Sequence, residues 1–337
     1  MSRGTKVFRS IVCVLLALCI LLIALLIHDV YLLDVAMSDQ KGYGFSVAGV
    51  SVTRENEDDI LGDGTVFYDS DNNVLVFADA EIKTDRSIIE SDIDLGIYLM
   101  GENKFISSGN GTVALICAAD NYLDKDLYIC GDGSLTIEYL NPCANSSVIQ
   151  CSNLTVLSDI TITTPESENI SNGIVCDSSF KLLSGATVTV NGSPSKSLVA
   201  FRVRGNAILE AGTAINVTVE NGSTEAAKAI SISGDFIVGN ECSVNVSVAD
   251  DTAKTVEGIH VNGLLEVGEG ATVTASTAKS YAIECYGAIK LCDDAVLSAT
   301  SADSDVDVIC YGAVGNYGAT VNGEIKALGQ LYDKLEK

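Results

Sequence analysis

The feature that most constrains the fold is a degenerate unit that recurs five times between residues 174 and 299. Each copy opens with an apolar–x–apolar triplet, where a cysteine can replace the third residue, and the triplets end at Cys176, Val203, Ile232, Val261 and Cys285. A second apolar residue follows six positions later and a third follows six beyond that. The copies lie 27, 29, 29 and 24 residues apart, so a fixed block alternates with a loop of variable length. Such a pattern is typical of a solenoid rather than of separate domains.

Within this unit, Val, Ile, Leu and Ala alternate with Thr, Ser and Asn, which is the composition of β-strands. We therefore predict an all-β, single-stranded parallel β-helix of about ten coils over residues 60–322, with three short strands per coil. Inward side chains should stack in columns from coil to coil, for example Phe180, Ala207, Phe236, Leu265 and Ile289.

Three stretches near the start of this body carry a family resemblance: Gly62–Asp69, Gly101–Asn103 and Asp126–Ile137. They resemble the opening coils of exported right-handed parallel β-helix proteins of clostridial-type bacteria. This pectin-lyase-like fold includes non-catalytic carbohydrate-binding members. The resemblance extends over about residues 60–322 and implies a right-handed helix. It is specific for architecture, because the matched residues are turn and core positions.

The N-terminal sequence predicts a membrane anchor. Arg3, Lys6 and Arg9 precede the uncharged stretch Ile11–Ile27, and an acidic flank follows it. We predict a cytoplasmic basic tail (1–10), a transmembrane signal anchor (11–33) and a linker (34–59), so that the β-helix is extracellular on a single-pass protein of the cell membrane. A cleaved signal peptide is the alternative.

The C-terminal sequence predicts a helix over residues 323–337. Ile325, Leu328, Leu331 and Leu335 recur at helical spacing. The last coil of a parallel β-helix ends in open strand edges, and a helix there would cap them.

Composition and charge exclude several functions. The formal net charge is −25, which disfavours nucleic acid as a partner. The chain has only two histidines, His28 and His260, which argues against nucleophilic catalysis assisted by histidine. The adjacent aspartate pairs at 58–59, 250–251 and 293–294 do not fall on one strand column, so we expect no enzyme.

Four of the eleven cysteines fall on one inward column, at Cys151, Cys176, Cys285 and Cys310. The first two lie on adjacent coils, as do the last two. Two interpretations are open: disulfides that staple neighbouring coils, or small buried thiols. No Cys-x-x-Cys pair occurs, so zinc is not indicated.

The candidate ligand-binding surface is the outward face of the first strand of each coil. One ladder of side chains there comprises Arg202, Ser231, His260 and Glu284, and the ladder beside it comprises Asp177, Arg204, Ser233, Asn262, Tyr286 and Tyr311. Hydrogen-bonding groups beside two exposed tyrosines suit a sugar chain that runs along the helix. The alternative is an ordinary solvated sheet face.

A candidate calcium site comprises Asp303, Asp305 and Asp307, whose carboxylates would share one side of an extended strand. Calcium takes six to eight oxygen ligands, which these residues and loop carbonyls could supply. A solvated acidic loop is the alternative.

Together these observations predict a membrane-anchored, non-catalytic surface protein that binds a polysaccharide or cell-wall glycan. A structural or adhesive stalk is the second hypothesis. Its uneven loops, at 191–198 and 220–228, would then contact a protein partner. A polysaccharide lyase or hydrolase is the third.

Overall fold

The computed structural model describes residues 42–108, 114–118, 125–140, 146–164, 170–183, 185–193, 197–220, 222, 225–329 and 331–333. The predicted tail and signal anchor, residues 1–33, lie outside these ranges. Within the ranges no helix is long and apolar enough to cross a membrane. All the strands belong to one compact unit, Gly44–Val52 with Glu57–Lys337. A second unit contains the turn Thr53–Asn56, where the Thr53 amide donates to Asn56 Oδ1 at 2.8 Å.

The N-terminal strands are β1 (Phe45–Val47), β2 (Val50–Ser51), β3 (Val66–Asp69), β4 (Val74–Ala78), β5 (Glu81–Thr84), β6 (Ile89–Ser91), β7 (Leu95–Met100), β8 (Glu102–Ser107), β9 (Ala114–Ala118), β10 (Leu127–Gly131) and β11 (Ser134–Tyr139). The central strands are β12 (Ser146–Val156), β13 (Asp159–Thr164), β14 (Ile170–Leu182), β15 (Thr187–Gly192), β16 (Ser197–Val203), β17 (Ala207–Leu209), β18 (Ala214–Val219), β19 (Ala226–Ile232), β20 (Phe236–Val238), β21 (Ser243–Val248), β22 (Thr255–Val261), β23 (Leu265–Val267) and β24 (Thr272–Thr277). The C-terminal strands are β25 (Ile283–Cys285), β26 (Ile289–Leu291), β27 (Val296–Ser301), β28 (Val308–Cys310), β29 (Val314–Asn316), β30 (Thr320–Asn322), β31 (Ile325–Ala327) and β32 (Leu331–Asp333).

These strands form a parallel β-solenoid of the right-handed type with about eight turns, fewer than the ten expected. One sheet has 22 strands and a second has ten, because the long strand β14 pairs with both β16 and β17 and so joins two faces of the solenoid in one sheet. Apart from the antiparallel pairs β1–β2, β1–β6 and β3–β4, each strand pairs in parallel with strands of the neighbouring turns. We call the surface over β16, β19, β22, β25 and β28 the first face. The second face lies over β17, β20, β23, β26 and β29, and the third over β18, β21, β24, β27 and β30.

Apolar residues recur every six positions in the repeat because each turn of the solenoid places one inward apolar residue beneath each face. The predicted column is confirmed: Phe180, Ala207, Phe236, Leu265 and Ile289 are in register. Their side chains are at most 1% exposed. The column eight residues further on, from Val188 to Leu297, is in register on the third face. The core is therefore one continuous apolar ladder.

Residues 34–41 of the predicted linker lie outside the described ranges, and within its remainder Phe45–Val47 and Val50–Ser51 form strands. β1 pairs antiparallel with β6, and Phe45 and Val47 are buried. This pairing covers a strand edge that would otherwise be open. The antiparallel β3–β4 hairpin also belongs to this end of the solenoid.

The predicted C-terminal helix is wrong over its described residues, where β31 and β32 form instead. Ile325 and Ala327 are in register with Val308 and Cys310, so they extend existing columns. The spacing of Ile325, Leu328 and Leu331 is helical, but Ile325 and Ala327 also alternate as a strand does. Because this segment pairs with β28, it forms a strand rather than a helix.

The cysteine column is confirmed, since Cys151 is in register with Cys176 and Cys285 with Cys310. All four are buried, and they are free thiols. A hydrogen bond with Cys176, together with burial, raises the pKa of the Cys151 thiol well above its usual range.

Candidate functional site

The two ladders that the sequence predicts both run along the first face. Arg202, Ser231, His260 and Glu284 occupy one register position on successive turns. In the neighbouring ladder, each amide from Arg204 to Tyr311 donates to a strand carbonyl of the preceding turn. Examples are Tyr286 N to Val261 O and Tyr311 N to Cys285 O, both 2.8 Å. The parallel hydrogen bonding therefore places these side chains side by side at about 4.8 Å per turn.

A corner of stacked glycines follows the second ladder. Gly205, Gly234, Gly263, Gly287 and Gly312 each come directly after a ladder residue, and the Gly263 amide donates to Gly234 O at 2.9 Å. A Cβ on Gly287 would lie 2.6 Å from the carbonyl carbon of Gly263, so only glycine fits between the turns. This corner holds the ladder side chains at the edge of the first face. The sequence analysis missed it, although the recurring glycine was a visible signal.

His260 lies at the centre of the site and contacts an oxygen with each ring nitrogen. Nδ1 is 3.1 Å from Glu284 Oε2, and Nε2 is 3.0 Å from Asn262 Oδ1. Glu257 Oε2 lies 4.0 Å from Nδ1, and Lys228 Nζ lies 2.7 Å from Glu257 Oε1. Lys228 and Glu257 form a register column that the sequence analysis missed. They lie three residues before Ser231 and His260 on the same strands, and this recurring spacing was the signal.

The two tyrosines stack on each other. Their ring centroids are 4.5 Å apart at an interplanar angle of 13°, and the Tyr286 ring is 5.4 Å from that of His260. Tyr286 is 49% exposed and Tyr311 is 39% exposed. Because each ring covers one face of the other, a ligand meets mainly ring edges and phenol hydroxyls rather than two open ring faces. The negative charge of Glu284 raises the pKa of Tyr286. The Tyr311 hydroxyl donates to Glu284 Oε1 at 3.4 Å, so Glu284 connects both tyrosines to His260.

Arginines occupy the other end of the ladders. Arg204 Nη1 is 2.9 Å from Asp177 Oδ1, an ion pair without hydrogen-bond geometry. Arg202 is partly buried, and burial together with the charge of Arg204 lowers the pKa of its guanidinium. Ser233 is exposed between Arg204 and Asn262. The surface is therefore cationic at one end and aromatic with carboxylates at the other.

The predicted calcium ligands lie in a loop between β27 and β28 rather than on an extended strand. Asp303 and Asp305 are exposed there. Asp307 accepts the Ser301 amide at 2.7 Å and the Glu324 amide at 2.8 Å, one on each carboxylate oxygen. Over the described ranges, no group of three or more His, Cys, Asp or Glu side chains is arranged to hold a metal ion. Calcium binding stays a prediction.

The fold and this surface define a class, a parallel β-solenoid with a polar and aromatic ladder on one face. No family model matches the chain, and neither a curated protein nor a solved structure is significantly similar to it. The argument for function therefore depends on the geometry of the first face.

Proposed function

We propose that this protein is a non-catalytic carbohydrate-binding surface protein that holds a polysaccharide or cell-wall glycan along its first face. The observation that carries the proposal is the exposed Tyr286–Tyr311 stack beside His260, Glu284 and Asn262. Phenol hydroxyls, a carboxylate, an amide and an imidazole offer donors and acceptors next to apolar ring surface. Sugars present the same combination of hydroxyl groups and C–H surface.

The backbone beneath the site supports binding of an extended polymer. Each ladder residue is attached to a strand end that pairs with the turns above and below, so its position is set before a ligand arrives. Binding groups repeated at about 4.8 Å per turn suit a chain that lies parallel to the solenoid axis. A preorganised surface of this kind avoids the entropy cost of ordering loops.

The proposal is non-catalytic because the carboxylates of the site are already held by neighbouring side chains. Glu257 is paired with Lys228, and Glu284 contacts His260 and Tyr311. General acid–base catalysis needs a group poised to exchange a proton with a bound substrate. The membrane anchor at residues 11–33 is part of this proposal and would display the first face outside the cell.

The test is binding of the full chain to a glycan array, with and without calcium, before and after the double substitution Tyr286→Ala and Tyr311→Ala. We expect affinity to fall about tenfold or more, since the two phenol hydroxyls that are lost can each form a hydrogen bond worth roughly 0.5–1.5 kcal/mol. The control is Tyr98→Ala with Tyr128→Ala, which removes two exposed tyrosines on another part of the surface. Equal loss in both variants, or no loss in the first, would contradict the assignment of this face.

The same array separates the other hypotheses. New unsaturated or reducing ends on a bound glycan would support a lyase or hydrolase. An absence of both binding and turnover would support the stalk with a protein partner. The loops proposed for that role, 191–198 and 220–228, are only partly within the described residues.

A further inference from the structure

Arg202 is a partly buried cation on a strongly acidic protein. The carboxylate whose charge attracts it, that of Asp177, already forms an ion pair with another residue. Its register neighbours on the first face are Val175 and Ser231. The carboxylate of Asp177 is paired with Arg204. Within the described part of the chain, no ion pair or hydrogen bond reaches the Arg202 guanidinium, although the chain has 45 acidic and 20 basic residues. The donors of this guanidinium are therefore available to a group from outside the chain.

The local charge supports this interpretation. Arg202, Arg204 and Asp177 together carry a net charge of +1, and the burial of Arg202 makes that charge costly to leave without acceptors. A guanidinium presents five N–H donors in a planar fork, which matches two oxygens of one oxyanion. Charge-assisted bidentate pairs of this kind are among the stronger hydrogen bonds in proteins.

We propose that Arg202 and Arg204 form an oxyanion-binding site for a carboxylate, sulfate or phosphate group. This inference rests on the proposed function for the source of the group, which is a substituent of the bound glycan. Three turns, or about 14 Å, separate the register position of Arg202 from that of Glu284 beside Tyr286. The ligand would therefore place an anionic substituent on the arginines and an uncharged sugar on the tyrosines.

The charge of the whole protein limits how acidic that ligand can be. A net charge of −25 repels a polymer with an anion on every unit, and this repulsion weakens beyond a Debye length of about 8 Å at physiological salt. A glycan with one or a few oxyanions avoids most of this cost while satisfying the arginines. The class of ligand is thus a sparsely charged acidic glycan.

The experiment is calorimetric titration of the full chain with matched probes: a neutral oligosaccharide selected on the array, the same oligosaccharide with a single sulfate ester, and inorganic sulfate alone. We expect the sulfated form to bind about tenfold more tightly than the neutral form, a difference of about 1.4 kcal/mol. Arg202→Gln should abolish that preference. Arg202→Lys should keep only part of it, because lysine retains the charge but lacks the planar fork.

The matched control is Lys83→Gln, which also removes one positive charge but on an exposed side chain of β5, paired with Glu81 at 2.6 Å. It should leave the preference unchanged, and all variants should melt like the parent protein. A neutral probe that binds as tightly as its sulfated form, or a sulfate preference that survives Arg202→Gln, overturns the inference and leaves the proposed function standing.

Inorganic sulfate tests the oxyanion site independently of the proposed glycan binding. Sulfate that binds in an Arg202-dependent manner, on a protein that binds no glycan, would support the oxyanion site and overturn the proposed function. If neither sulfate nor any glycan binds, both proposals are overturned.

Discussion

Replacing Gly287 with alanine tests the close approach of turns beside the site. The new Cβ would lie 2.6 Å from the carbonyl carbon of Gly263 and 3.2 Å from its Cα, whereas ordinary contacts begin at 3.4 Å. The carbonyl oxygen of Gly263 lies closer still, so the two backbones would have to separate by more than about 0.8 Å, and neither obstacle is the end of a flexible side chain. Overpacking of this kind costs about 1–3 kcal/mol, and a backbone obstacle places the cost near 3 kcal/mol.

The assay is thermal unfolding followed by circular dichroism. For a domain of this size, with an unfolding entropy of roughly 2 cal/mol/K per residue, a loss of about 3 kcal/mol lowers Tm by roughly 5 °C. The matched control is Gly212→Ala. Gly212 has φ +75° but nothing within 4 Å of its added Cβ, so only conformational strain of about 1–2 kcal/mol acts there. If Gly287→Ala melts at or above the temperature of Gly212→Ala, the argument from close approach is refuted.

Three further predictions concern the thiol column and the acidic loop. Because the pKa of Cys151 is raised in the folded protein, the contribution of this thiol to stability is present below the ordinary thiol value of 9.0 and is lost as pH rises above it. Tm should therefore fall above about pH 9, and it should fall less steeply in Cys151→Ala. Thermal melts across this pH range measure both slopes. Asp307→Ala removes acceptors from two backbone amides and should cost about 2–3 kcal/mol in chemical denaturation, whereas Asp305→Ala on the exposed loop should change stability by less than about 0.5 kcal/mol. If the loop also binds calcium, calorimetry at millimolar calcium should show heat that Asp305→Ala reduces, and no heat from the parent protein would end that hypothesis.

The inward columns could be predicted from the sequence, because a spacing of six with period-two alternation allows few arrangements. Phe180, Ala207 and Phe236 had to share a column once their blocks were aligned. The outward ladders followed, since a residue between two inward ones points to the opposite side of the sheet. Arg202, His260 and Glu284 were thus placed together without any contact being known.

Predictions at the two ends were weaker, because a short apolar pattern fits more than one period. Ile325–Leu331 satisfies helical spacing, but pairing with β28 and β29 draws it into strands. Likewise, Phe45 and Val47 gave too short a signal to distinguish a linker from a strand. In both places a neighbouring edge with unpaired backbone groups decides the structure.

The sequence alone therefore determined the solenoid, its inward columns and the composition of the two ladders, because side-chain alternation and repeat spacing are local properties. Only the tertiary structure decided how the ladder side chains pair. It joined His260 to Glu284 and Asn262, stacked Tyr286 on Tyr311, and paired Asp177 with Arg204 rather than with Arg202. Those pairings depend on side-chain rotamers and on contacts between turns 24 to 29 residues apart, which no local pattern specifies.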